Sequence, residues 1–121
     1  MKKIIDEHDP STPLYLNYDS RLCHYPLEAP PEYQAKFEAL GINQTQRRVY
    51  HAMVNFLDDQ LKVVTDMFKA KGMWETTLMV LSTDNGGYVR DTGDCNVENA
   101  TTGAVCMSGE AGASNHPLRG G

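Results

Sequence analysis

Between Thr45 and Lys71 the apolar residues Val49, Ala52, Met53, Phe56, Leu57, Leu61, Val64, Met67 and Phe68 recur at intervals of three and four. That spacing puts them on one face of an α-helix and does not fit the two-residue period of a strand. It predicts a helix over residues 45–71, with Gly72 placed to stop it, because glycine adopts the left-handed conformation that ends helices. A long helix with one apolar face has to be covered by other elements, so the rest of the chain is constrained to pack along it. Its polar side carries Asp58, Asp59, Lys62, Asp66 and Lys69, which read as a solvated face.

The stretches on either side of the helix look different. "TPLYLNY", residues 12–18, is short, rich in Tyr and Leu and bounded by Asp-Pro-Ser and Asp-Ser, and it reads as a buried strand. "TLMVLST", residues 77–83, is a continuous apolar run that ends abruptly at Asp84-Asn85-Gly86-Gly87, and it reads as a second strand running into a turn. Strand, helix, strand is a βαβ unit, whose two strands are expected to be parallel with a right-handed crossover. The fold class expected is therefore α/β. In "CHYPLEAPPEY", Pro26, Pro30 and Pro31 are expected to forbid a helix and impose an extended loop. Beyond Gly87 the composition turns to Gly, Asn, Thr, Asp and Ser with no period, which reads as a long irregular loop to Gly121.

At 121 residues the chain has the length of one domain, enough for one core of two packed layers. The net charge of -5, with basic residues no denser than the pairs Lys2-Lys3 and Arg47-Arg48, lacks the footprint of a nucleic-acid binder. No apolar run approaches the roughly 20 residues of a membrane helix. The opening "MKKIIDEHDP" has only Ile4-Ile5 before its acids, too short for the core of a signal peptide. Two acceptor sequons, at Asn43 and Asn99, and three cysteines would nonetheless suit a secretory compartment. Cys95 and Cys106 could close a ring worth about 3 kcal/mol if the bond forms, or could equally stay as thiols, and Cys23 reads as a buried structural residue.

In a parallel sheet, ligands bind outside the carboxyl ends of the strands, and both candidate sites lie at such ends. The loop after the first predicted strand presents His24, and the second ends at Asp84 and Asn85. A carboxylate and an amide carbonyl are hard oxygen donors suited to calcium, or less readily magnesium, although such ions want about six ligands. Gly86 and Gly87 permit positive φ for a turn and also close approach to the backbone. Taken alone, the residues read more simply as a plain turn after a strand, a structural histidine in a proline-rich loop and a salt-bridging or capping Arg119.

"HDPSTPLYLNY", "HYPLEAPPEY", "YHAMVNFLDDQLKVV", "GMWETTLMVLSTDNGG" and "SNHPLRGG", in that order, resemble the arylsulfatases of the formylglycine-dependent sulfatase superfamily, in particular the arylsulfatase B-like group. The resemblance covers nearly the whole chain. It implies that residues 1–121 are part of a sulfatase domain, that the βαβ unit is a portion of an alkaline-phosphatase-like fold, and that the parent hydrolyses sulfate esters. It implies calcium-ligand roles for Asp84 and Asn85, and for His24 a contact to the sulfate that assists departure of the ester oxygen. A divalent cation and fixed donors suit a reaction that builds charge on sulfuryl and leaving-group oxygens. It also implies a sulfate ester as the parent's substrate, while the sequons and cysteines argue for a lysosomal or secreted glycoprotein parent, and the charge and the apolar runs for no nucleic-acid or membrane partner.

The departures are as specific as the matches. The family's formylglycine arises from the cysteine of a Cys-x-Pro-Ser-x-Arg element, and none of Cys23, Cys95 or Cys106 stands in such a string. The early Asp-Asp metal ligands are missing, as is the catalytic lysine expected just past Gly121, and His116 stands where a tryptophan is expected before Pro-Leu-Arg. The expectation is an internal, catalytically inactive piece of a sulfatase; the rival is a small cation-binding or sulfatase-associating α/β module without catalysis.

Overall fold

The computed structural model describes residues 1–24, 26–87, 90–91, 109–110 and 113–117. The helices are α1 (Lys2–Glu7), α2 (Pro31–Ala39) and α3 (Thr45–Ala70), followed by one 3-10 turn, Trp74–Thr76. The strands are β1 (Arg90–Asp91) and β2 (Gly109–Glu110), two residues each, paired antiparallel with Arg90 opposite Glu110 and Asp91 opposite Gly109.

Helix α3 is the spine. Its first turn is capped by the Gln44 side chain, which accepts a hydrogen bond from the Arg47 N–H at 2.6 Å. Its far end closes as the sequence requires. Gly72 takes φ +70°, its N–H reaches the Lys69 carbonyl at 2.9 Å, and the Met73 N–H reaches the Phe68 carbonyl at 3.0 Å. Those two bonds satisfy carbonyls that the last turn leaves over, and Met73 packs against Phe68 to fix the exit direction. Helix α2 ends by the same device. Gly41 stands at φ +82°, its N–H bonds to the Glu38 carbonyl at 2.9 Å, and the Ile42 N–H bonds to the Phe37 carbonyl at 3.1 Å.

The helix α2 corrects the reading of the proline-rich stretch. Pro30 is extended at φ -55° and ψ 140°, as expected, but Pro31 opens the helix at its first position. There the missing N–H costs nothing and the fixed φ already suits a helix.

The expected βαβ unit is not formed. Neither 12–18 nor 77–83 joins a ladder among the described residues, and the β1–β2 ribbon is antiparallel and lies beyond Gly87. What is described is a helical assembly with a small ribbon. The physical reason is that an apolar run reports burial preference, whereas strand pairing depends on a distant partner that the run itself does not encode. Leu14 and Leu16 still alternate inward against the far end of α3 while Tyr15 is 90% exposed. In 77–83 the apolar side chains are largely in solvent, with Leu78 88% and Val80 77% exposed.

The core is divided. Toward the start of α3, Val49, Ala52 and Met53 are buried with Leu27 and Ala29, and Leu22, Cys23, Tyr33, Phe37 and Tyr50 pack around them. At its end, Ile5 from α1, Phe68 and Met73 form a second cluster with Leu14, Leu16 and Trp74. The side read as solvated is partly engaged. Asp59 accepts a hydrogen bond from the Tyr33 hydroxyl at 2.7 Å, Tyr33 meets Phe56 edge to face at 5.2 Å, and Lys62 pairs with Asp66 one turn on.

Candidate functional site

Asp84 and Asn85 lie in a bend that follows the exposed run, and both are themselves exposed. The bend is tightened from inside by Thr83, whose hydroxyl donates to the Asn85 carbonyl. Its far side is held by a residue far along the chain. The Gly87 N–H donates to Oδ1 of Asn115 at 2.8 Å, and Nδ2 of Asn115 donates to the Gly87 carbonyl at 2.9 Å. One side-chain amide thus satisfies both backbone polar groups of one residue.

A Cβ built on Gly87 would stand 2.6 Å from the Ala113 Cβ and 2.9 Å from the Tyr50 hydroxyl oxygen. A Cβ on Gly86 would stand 2.9 Å from Oδ1 and 3.1 Å from Nδ2 of Asn115. Neither glycine has a positive φ. The pair is therefore demanded by crowding, from Asn115, Ala113 and Tyr50, and not by left-handed backbone.

Tyr50 links this bend to the other candidate loop. It projects from α3 and packs on the cluster that holds Leu22 and Cys23, next to His24. Burial pushes its hydroxyl pKa up, and the neighbouring Cys23 adds to the rise. Burial likewise raises the Cys23 thiol, which favours an inert neutral form over a reactive thiolate. His24 itself is exposed, at the end of a turn closed by its N–H to the Arg21 carbonyl at 2.9 Å. The loops bearing His24 and Asp84-Asn85 thus converge on one aromatic side chain near the start of α3.

Among the described residues, no group of three or more His, Cys, Asp or Glu side chains is arranged to hold a metal ion. Asp84 and Asn85 supply oxygen donors of the right hardness for calcium, and further ligands would have to come from elsewhere or from water. Asn43, the first sequon, is exposed in the link between α2 and α3. Cys95, Cys106, Asn99 and Arg119 lie outside the described residues. In the sequence, Asn115 and Tyr50 stand only inside the matched strings "SNHPLRGG" and "YHAMVNFLDDQLKVV", with no role assigned to either. The available signal was Gly86-Gly87 itself, since two adjacent glycines call for a crowding partner as readily as for an unusual φ.

The sulfatase family model matches residues 1–121, the full length of the chain. The chain belongs to the sulfatase family. Among curated proteins, arylsulfatase J of Mus musculus is 32% identical over 120 residues, an alignment that covers 99% of this chain and 16% of that relative. This sulfatase chain therefore spans about one-sixth of the length of the relative. No solved structure gives a significant match. No helix among the described residues is long and apolar enough to cross a membrane.

Proposed function

We propose that this chain is part of a calcium-dependent arylsulfatase-type hydrolase whose parent cleaves sulfate esters, and that the 121 residues alone do not turn over. The observation that carries the reading is the family match along the full chain, together with an exposed Asp84-Asn85 bend held in place from both sides. In this reading Asp84 and Asn85 are two of the calcium ligands. The bound ion would supply positive charge where sulfuryl oxygens become more negative. His24 would hold the sulfate and donate a proton to the departing ester oxygen, the role that needs a general acid within hydrogen-bond reach. The parent is read as a lysosomal or secreted glycoprotein, with Asn43 and Asn99 as acceptor sites.

No Cys-x-Pro-Ser-x-Arg element is present to provide the family nucleophile, which supports inactivity of this chain by itself. The purified chain should release no more phenol from an aryl sulfate than buffer does, with or without calcium. Calcium-dependent turnover abolished by Asp84→Ala would refute the inactivity and keep the metal assignment. A second reading, a binding module that associates with a sulfatase, is favoured by the exposed run Leu78–Leu81. Co-sedimentation with an intact sulfatase separates the two.

A further inference from the structure

We propose that Asn115 is a positioning residue: its side-chain amide locks the backbone at Gly87 and so sets the Asp84-Asn85 turn, and Gly86 is a glycine in order to admit it, while Gly87 is one in order to pass Ala113 and Tyr50. The inference rests on the calcium reading only for the purpose of the turn; the lock itself stands on geometry. Both backbone groups of Gly87 are taken by the one amide, at 2.8 and 2.9 Å. Asn and Gly are 28 residues apart in sequence, so the contact is not a local turn preference but a tie between two segments.

The chemistry selects asparagine. Only a group with an acceptor and a donor side by side can mimic the edge of a β-strand and engage an N–H and a C=O together. Aspartate keeps the acceptor and, when ionised, sets a negative charge against the Gly87 carbonyl. Glutamine has both groups on a stem longer by one methylene, which does not fit a gap where a Cβ on Gly86 would already lie 2.9 Å from the amide oxygen. The second wall is Tyr50, whose hydroxyl oxygen would be 2.9 Å from a Cβ on Gly87. The turn is thereby held between Asn115 and the start of α3. An exposed Asp-Asn pair on a backbone held this way has fewer arrangements to lose when an ion arrives, which reduces the ordering cost of binding.

The test is amide exchange and backbone resonance positions by NMR on the isotope-labelled 121-residue chain. Asn115→Ala should speed exchange at Gly87 at least tenfold and shift the Asp84 and Asn85 amide resonances, while amides in the middle of α3 stay unchanged. Asn115→Asp should speed Gly87 exchange less than Asn115→Ala, because the acceptor remains. Gly86→Ala attacks the same contact from the other side; its effect at Gly87 should match that of Asn115→Ala and should not add to it in the double variant. Unchanged Gly87 exchange in Asn115→Ala, or unmoved Asp84 and Asn85 resonances, would overturn the proposal. Calcium titration of the same samples tests the underlying reading separately: if the parent chain and Asp84→Ala respond to calcium alike, the metal assignment fails, and the exchange data still decide the lock.

Discussion

At the scale of single residues, the glycine pair after Asp84-Asn85 is informative because each position is restricted by a different neighbour. Gly87→Ala would press a methyl into the Ala113 side chain and the Tyr50 hydroxyl. The expected result is a displaced bend without loss of the helices, seen as unchanged helical circular dichroism with faster cleavage by a protease near residue 87. Cys23 gives a pH dependence. Its thiol is held above the ordinary range by burial, so the folded state favours the neutral form. Below the ordinary thiol pKa both states keep the proton, and stability does not change with pH. Above about pH 8.5 the unfolded chain ionises first, so stability falls as pH rises towards the folded pKa. Tyr50, raised by burial and then by Cys23, carries the same trend to higher pH. Cys23→Ala should therefore show a urea midpoint that varies less between about pH 8 and 10 than that of the parent chain. The Asp-Asn bend was visible in the sequence because turn chemistry is local. Asn115 and Tyr50 were not, because each acts on Gly87 from a segment that sequence spacing alone does not relate to it.

At the scale of elements, α3 was the most legible feature, since its period and its stop signal both lie within the segment. The glycine that ends it makes a clean test. Nothing lies within 4 Å of a Cβ at Gly72, so Gly72→Ala would introduce backbone strain at φ +70° and no clash. A loss of about 1–2 kcal/mol is expected in urea unfolding, in line with the cost of left-handed backbone for a residue with a Cβ. Helix α2 is hidden in the sequence by prolines, which break a helix everywhere but in its first turn. Pro31 occupies the one helical position where its ring is an advantage, and the two residues of "PP" divide the work between extended entry and helical start. The strands were misassigned for a different reason. Residues 77–83 have the composition of a buried strand, but burial and pairing come from the other side of the contact, and the described residues offer them neither.

At the scale of the whole molecule, the exposed run dominates behaviour in solution. Leu78, Met79, Val80 and Leu81 are 88%, 42%, 77% and 74% exposed in one continuous segment. An exposed apolar segment of this kind promotes association despite a net charge of -5. The chain should sediment as concentration-dependent oligomers, and Leu78→Ser with Val80→Ser should shift it toward monomer without altering its helical content. The family could be recognised from the order of short strings along the chain, while the placement of those strings could not, because similarity preserves residues more visibly than it reports their partners. The divided core has a further consequence. Met53 and Phe68 are fifteen residues apart on one helix, about 22 Å along its axis at 1.5 Å per residue, and each belongs to a different cluster. Side chains that far apart with no shared neighbours respond to substitution almost independently. The two ends of α3 can therefore diverge on separate schedules: the end beside Tyr50 can be reshaped as the loops carrying His24 and Asp84 change, while the end clasped by Ile5 keeps its fit undisturbed.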